Sequence, residues 1–141
     1  MNQAAIFSPM FTMFALTIVV WTYMYSRRIP FIRKNDLDLD NMNPNELIAI
    51  TPRAVRTPSD NLRNLFELPV LFYALALYLY VTNQVDQGYL IAAWVFVAFR
   101  VLHSAVHCTV NIVLLRFFLY VVATAVLWLM LVRAMLVRLN T

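Results

Sequence analysis

Glycine, cysteine and charged residues are all scarce in this chain. It contains one glycine and one cysteine among 141 residues, and only 13% of its residues are charged. A single cysteine excludes a disulfide within the chain. Scarce glycine leaves few signals for tight hairpins, and a regular alternation of apolar and polar residues is absent, which argues against a transmembrane β-barrel. The low charge content is far from the roughly 25% that is usual in soluble domains.

Apolar residues are correspondingly abundant. They make up 62% of the sequence, and the mean hydropathy is +0.71. Helices are the other way to cross a bilayer with every backbone group hydrogen-bonded, and a span needs about 20 apolar residues. The sequence therefore predicts an all-α membrane protein in which a single domain, residues 1–141, forms a bundle of four transmembrane helices. The expected spans lie at about residues 4–26, 60–82, 88–108 and 111–137.

The basic residues are unevenly distributed, although the net charge is only +4. Seven of the eleven lie in one stretch: Arg27, Arg28, Arg33, Lys34, Arg53, Arg56 and Arg63. The positive-inside rule accounts for this cluster without a nucleic acid partner and places it in the cytoplasm. Both termini are then expected on the non-cytoplasmic side, where Arg133 and Arg138 are outweighed. We expect membrane lipids as partners and a bacterial inner membrane as the location.

Prolines mark the connection between the first two spans. A polar segment is expected from about Pro30 to Ser59, and Pro58 precedes two good N-cap residues. The second span is therefore predicted to begin at Ser59 or Asp60. Pro69 is predicted to bend that span shortly after its polar start, because proline removes one backbone hydrogen bond.

Two arginines, Arg100 and Arg116, lie inside or at the edge of apolar runs. A charge at membrane depth costs about 2.5–3.5 kcal/mol on insertion scales, so each arginine needs a partner or a function. A short connection at residues 108–110 makes the third and fourth spans antiparallel neighbours. Polar side chains of three spans then converge at similar depth: Asn64 and Glu67, Arg100, His103 and His107, and Arg116 and Tyr120.

Three interpretations of this convergence remain open. It is a structural charge network with Glu67 as the main acid, or a cytoplasm-facing site for an anionic ligand. If that ligand carries a thiol, Arg116 would stabilise the thiolate, and Tyr120 would be a second contact. A metal site formed by His103 and His107 with other ligands is the third interpretation, although the sequence has no HExxH motif.

The ordered set of motifs RNLFELP, RVLHSAVH and RFFLY resembles the MAPEG family, the membrane-associated proteins in eicosanoid and glutathione metabolism. The resemblance covers nearly the whole chain. It implies a homotrimer that binds glutathione as co-substrate between subunits, near the cytoplasmic side. By the same resemblance Arg116 stabilises the thiolate. The remaining matched residues would position the tripeptide: Asn64, Glu67, Arg100, His103 and Tyr120.

Two positions differ from the family pattern. Asp60 stands where the family usually has an arginine, and Arg63, Arg56 and Arg53 are candidates to replace it. His107 stands where a tyrosine is common, and its ring still offers a hydrogen-bond donor.

The expected function is glutathione transferase or peroxidase chemistry. The chain would conjugate or reduce lipophilic electrophiles that enter from the bilayer. The alternative is a non-enzymatic protein of the same architecture that binds a lipid or acts as an assembly partner.

Overall fold

A computed structural model describes residues 2–139, so the first residue and the last two of the predicted domain lie outside the description. The described chain is helical and contains no strand. A short 3₁₀ helix at Gln3–Ile6 leads into α1 (Phe7–Lys34). It is followed by α2 (Pro44–Ile50), α3 (Arg53–Leu65), α4 (Leu68–Val81), α5 (Gln87–Cys108) and α6 (Val113–Leu139).

Four stretches of the described chain are long and apolar enough to cross a membrane. They are Gln3–Lys34, Arg53–Val81, Gln87–Cys108 and Val113–Leu139. The second of them comprises both α3 and α4. The prediction of an all-α membrane protein with four spans is confirmed at this level, whereas the homotrimer stays a prediction.

The helix ends near the prolines differ from the expectation. The first span continues through Pro30 to Lys34, and α3 begins at Arg53 rather than at Ser59 or Asp60. Pro52 precedes α3 in an extended conformation, with φ −58° and ψ 148°, and so acts as its N-cap residue. Pro58 is accommodated inside α3, where it is buried. Pro58 was interpreted as the residue that precedes the helix, whereas it lies within it. The predicted start of the second span at Ser59 or Asp60 was therefore wrong.

The second span is broken rather than bent. α3 ends at Leu65, a turn follows at Phe66 and Glu67, and α4 begins at Leu68 with Pro69 in its first turn. A proline ring lacks the N–H that would bond to the carbonyl four residues earlier and clashes with that carbonyl. That carbonyl belongs to Leu65, which explains why α3 ends there. The last carbonyls of α3 are left available to other donors.

Left-handed residues other than glycine follow several of the helices. Asp36 after α1 and Asn83 after α4 adopt left-handed conformations, with φ of 47° and 56°. The next N–H then reaches back to the helix, from Gln84 to the Leu79 carbonyl at 2.9 Å in the second case. Asp and Asn tolerate this conformation better than most residues, so the chain forms these caps with almost no glycine.

α5 occupies the centre of the fold. It packs against α1, α3 and, most extensively, α6. Phe96 of α5 is fully buried and stacks on Phe72 of α4, with ring centroids 4.7 Å apart. The short connection makes α5 and α6 antiparallel, as predicted. The end of α5 therefore lies beside the start of α6, and the start of α5 lies beside the end of α6.

Candidate functional site

One face of α5 carries a buried row of polar side chains. Arg100, His103, Ser104 and His107 are spaced at i, i+3, i+4 and i+7, which places them on the same side of the helix. They are between 0% and 3% exposed. Arg100 is completely buried, so its guanidinium depends on contacts within the protein.

Arg100 is held by a backbone carbonyl and an aromatic ring. Its Nη2 donates to the carbonyl oxygen of Asn64 at 2.7 Å, and its guanidinium lies 5.7 Å from the centre of the Tyr120 ring. The Asn64 carbonyl is available because α3 ends one residue later. The C-terminal end of a helix also carries partial negative charge, which favours a cation there.

Glu67 forms no ion pair with Arg100. Its side chain is exposed at the turn between α3 and α4, and within residues 2–139 it forms no ion pair within 4.0 Å. Asn64 therefore reaches the cluster through its main chain. The structural charge network was one of the three interpretations, and within residues 2–139 neither Arg100 nor Arg116 forms an ion pair with an acid.

Arg116 connects the start of α6 to both histidines. Its Nη1 donates to Nε2 of His107 at 2.5 Å, and Nδ1 of His103 donates to its carbonyl oxygen at 2.8 Å. A guanidinium has no acceptor, so Nε2 of His107 must be the unprotonated nitrogen of that ring. The two imidazole rings lie edge to face with centroids 5.5 Å apart, and the ring of Tyr120 lies 5.8 Å from that of His103.

The cluster has more donors than the described protein has acceptors for them. Buried polar atoms are normally hydrogen-bonded. Within residues 2–139, the buried nitrogens without a hydrogen-bond partner include three N–H donors of this cluster, Nε and Nη1 of Arg100 and Nδ1 of His107. Nε2 of His103 is also without a partner, and it is the acceptor nitrogen of a neutral ring whose Nδ1 donates. We call the four residues Arg100, His103, His107 and Arg116 the cationic cluster.

Two residues of the site were missed by the sequence interpretation. Ser104 donates from Oγ to Oδ1 of Asn61 at 3.3 Å, and Nδ2 of Asn61 donates to Sγ of Cys108 at 3.4 Å. Asn61 is fully buried. The signal was present, since Ser104 is one turn after Arg100 and Asn61 is one turn before Asn64. Neither belongs to the residues that the family resemblance matches.

Arg53 holds the opposite end of α3 against the α5–α6 turn. Its Nη2 donates to the carbonyl of Asn111 at 3.1 Å, and Asn111 has a left-handed φ of 47° and is buried. Arg53 was a candidate to replace the missing family arginine. The structure instead places it on a backbone carbonyl.

Arg63 and Asp60 lie away from the cationic cluster. Arg63 is exposed and lines a cavity on another face of α3, together with Arg56 and Asp60. Asp60 lies 3.9 Å from Arg56 in an exposed ion pair. These residues therefore form a separate polar surface.

The two histidines do not gather further metal ligands. Within residues 2–139, no three His, Cys, Asp or Glu side chains lie close enough to hold a metal ion together. Nε2 of His107 also accepts a hydrogen bond from the guanidinium of Arg116, so its lone pair is not free for a metal ion. The geometry is that of a donor-rich, positively charged site.

Comparison with known proteins gave one match. The sequence model of the MAPEG family matches residues 6–136. The matched region contains the whole cationic cluster together with Asn61, Ser104 and Tyr120. No curated protein and no solved structure matches the chain.

Proposed function

The chain belongs to the MAPEG family, and from that premise we propose that it is a glutathione-dependent membrane enzyme. It would conjugate or reduce lipophilic electrophiles with the thiol of glutathione. The cationic cluster would be the site of that chemistry. Glutathione would serve as co-substrate, and no bound metal would be needed.

The observation that supports this proposal most directly is the surplus of positive charge. Arg100 is fully buried and Arg116 is half-buried, and within residues 2–139 neither forms an ion pair with a carboxylate. Guanidinium groups pair strongly with carboxylates through parallel hydrogen bonds. Glutathione brings two carboxylates and a thiol, so it supplies both the missing acids and a nucleophile.

Arg116 is the residue we assign to thiolate stabilisation. A nearby guanidinium favours the ionised thiol, which releases its proton to water. The thiolate sulfur then donates an electron pair to an electrophilic carbon, and the leaving group departs with the electrons of the broken bond. The phenol of Tyr120, adjacent to His103 and Arg100, would donate a hydrogen bond to the ligand.

An apolar hollow on the stretch of chain that carries Arg116 would offer a place for the lipophilic substrate. It has a volume of about 610 Å³ and is formed by side chains of the start of α6: Ile112, Leu114, Leu115, Phe117, Phe118 and Val121. These side chains would face lipid in a single subunit. A hydrophobic electrophile dissolved in the bilayer would therefore approach Arg116 without crossing water.

The proposed assembly is a homotrimer with the site completed at the subunit interface. Glu67 is exposed at the α3–α4 turn although it belongs to the motif that the family resemblance carries. In the trimer, Glu67 of one subunit would contact the glutathione bound at the interface with the neighbouring subunit. Cross-linking or native mass spectrometry of the detergent-solubilised protein measures the subunit number, and a monomer would contradict this arrangement.

Replacement of Arg116 tests the catalytic assignment. We expect Arg116→Ala to abolish glutathione-dependent turnover of an aryl halide, because the thiolate loses its nearest cation. The matched control is Arg33→Ala, which removes an exposed arginine from the end of α1 and should leave turnover unchanged. Both variants must keep the oligomeric state of the parent protein. Unchanged turnover in Arg116→Ala would refute the role of this residue.

The alternative function is non-enzymatic binding of a lipid or of an assembly partner. Asp60 and His107 favour it, because both positions differ from the family pattern: an acid stands where an arginine is usual, and an imidazole stands where a tyrosine is common. Calorimetric titration of the solubilised protein with glutathione separates the two functions. Heat of binding at millimolar glutathione supports the enzyme, and its absence supports the alternative.

A further inference from the structure

A bridge of uncharged side chains joins α3 to α5 beside the cationic cluster. Nδ2 of Asn61 donates to Sγ of Cys108 at 3.4 Å, and Oδ1 of Asn61 accepts from Oγ of Ser104 at 3.3 Å. Ser104 and Cys108 are four residues apart, so one amide of α3 connects two successive turns of α5. We call these three residues the α3 bridge. Asn61 is fully buried and Ser104 is 2% exposed, so water does not compete for the contact between them.

The α3 bridge is the middle one of three contacts along α3. At the start of α3, Arg53 donates to the carbonyl of Asn111 in the α5–α6 turn at 3.1 Å. Near the end of α3, the carbonyl of Asn64 accepts from Arg100 at 2.7 Å. The partners lie progressively earlier in α5 as α3 advances, so the two helices are antiparallel. A shift of α3 along α5 would therefore displace all three contacts together.

The break between α3 and α4 leaves the end of α3 without the support of a continuous helix. α3 ends at Leu65 and α4 begins at Leu68. α3 also packs against α1, but hydrophobic packing is non-directional, whereas a hydrogen bond has a preferred distance and angle. The position of the Asn64 carbonyl therefore depends on the α3 bridge, which lies one turn earlier in the helix.

The orientation of Arg100 depends on that carbonyl. Nη2 of Arg100 donates to the Asn64 carbonyl, whereas its Nε and Nη1 have no partner within residues 2–139. A guanidinium is planar and rigid, so a bond that fixes one nitrogen also constrains the directions of the other N–H groups. A displacement of the end of α3 would therefore change where the two unpartnered donors point.

We infer that Asn61 is a positioning residue for the anionic ligand of the cationic cluster. Its contacts with α5 hold the Asn64 carbonyl in place, and that carbonyl keeps Nε and Nη1 of Arg100 directed at a carboxylate of the ligand. The inference rests on the proposed function, because the ligand is taken to be glutathione. It assigns to Asn61 an effect on ligand binding and none on the thiolate, which is assigned to Arg116.

Replacement of Asn61 by leucine tests this role. Leucine keeps the branch at Cγ without polar atoms, and Ser104 can then donate to the carbonyl one turn earlier in α5, so its hydroxyl is not left unpaired. We expect the KM for glutathione to rise about fivefold, the factor that one hydrogen bond of ordinary net strength supplies. The kcat should stay within about twofold, because Arg116 is held by His107 and not by α3. An unchanged KM, or a fall in kcat as large as the rise in KM, would contradict the inference.

Two variants of Ser104 separate positioning from a folding defect. Ser104→Ala deletes only the hydroxyl and should raise the KM about threefold, whereas Ser104→Thr keeps a hydroxyl and should preserve the parental value. Asn61→Leu combined with Ser104→Ala should be no worse than Asn61→Leu alone, since both changes remove the same contact. Losses that multiply in the double variant would show independent effects and overturn the inference.

The matched control is Asn41→Leu. Nδ2 of Asn41 also donates a side-chain hydrogen bond, to Oδ2 of Asp38 at 2.6 Å, but this residue is exposed in the connection between α1 and α2. Its KM and kcat should stay within about twofold of the parent values. An equal rise in KM in Asn41→Leu and Asn61→Leu would show a general effect of the substitution and refute the specific role of Asn61.

Nuclear magnetic resonance of the detergent-solubilised protein with isotope-labelled arginine tests the positioning without glutathione. The Nε–H signal of Arg100, identified by its absence in Arg100→Lys, reports the surroundings of the guanidinium. We expect this signal to shift in Asn61→Leu and to stay unchanged in Asn41→Leu, and an unshifted signal in Asn61→Leu would overturn the inference. If the signal shifts but the parent protein binds no glutathione, the proposed function fails and the positioning of Arg100 by Asn61 stands.

Discussion

The arginines at the two ends of the α5–α6 pair have different interaction partners. At one end Arg133 donates from Nη1 to Oδ1 of Asp86 at 3.0 Å and from Nη2 to Oδ2, and its guanidinium lies 4.2 Å over the ring of Tyr89. At the other end Arg100 has one backbone carbonyl, and Arg116 has a neutral imidazole nitrogen. The first arrangement is an ion pair, whereas in the second neither arginine forms an ion pair with an acid of residues 2–139.

We propose that the difference separates a structural role from a binding role. Asp86 also caps α5 by accepting from the N–H of Tyr89 at 2.9 Å, so its carboxylate is fully used within the chain. A pair of this kind holds two helices together and has little left to offer a ligand. The cationic cluster retains unpaired donors in a buried position, which the proposed anionic ligand would pair.

Among the replacements that test this comparison, that of Arg100 should have the largest effect on glutathione affinity. Arg100→Met substitutes an apolar side chain of similar length for a buried cation. We expect glutathione affinity to fall by about tenfold or more, while stability stays equal or rises, because a buried ion without an acid is expensive. Calorimetry and thermal unfolding of the same samples measure both. A large loss of stability with intact affinity would make Arg100 a structural residue.

Replacement of Arg133 should give the opposite result. Arg133→Met breaks an exposed ion pair and a contact with Tyr89, so we expect a loss of about 0.5–1 kcal/mol in stability. Glutathione affinity and turnover should stay within about twofold of the parent. The same two measurements apply, and a tenfold loss of affinity here would remove the distinction between the two ends.

The smallest expected effect concerns the pH dependence of the Asp86 pair. Hydrogen bonds from Arg133 hold the pKa of the Asp86 carboxyl below its usual value of 3.8. A lowered pKa in the folded state means that the stabilisation is present above the unfolded pKa of about 3.9 and is lost as the pH falls through the folded value. Thermal midpoints of Asp86→Asn and the parent should therefore differ slightly at pH 7 and converge in acid. A difference that persists at pH 2 would contradict this linkage.

Local patterns predicted which polar side chains of α5 and α6 lie close together. The spacing of Arg100, His103 and His107 placed them on one helical face, and the short connection after Cys108 brought Arg116 beside them. The carbonyl of Asn64 accepts from Arg100, and the predicted contact of Asn64 with glutathione stays a prediction. The start of α3 was misplaced because Pro58 lies within the helix, where it is buried. The position of a proline in the sequence does not show whether the helix continues through it or breaks, because that depends on how neighbouring helices pack around it.

The sequence alone determined the four apolar helices and the polar row on α5, because hydropathy and helical period depend on residues close together in the chain. Only the tertiary structure decided which charges are paired. The break after Leu65 exposed Glu67 and offered a carbonyl to Arg100, so the expected acid does not reach the expected base. The antiparallel packing of α5 and α6 brought Asp86 to Arg133, 47 residues later. Such pairing depends on how helices pack against one another, and no local pattern of residues encodes that geometry.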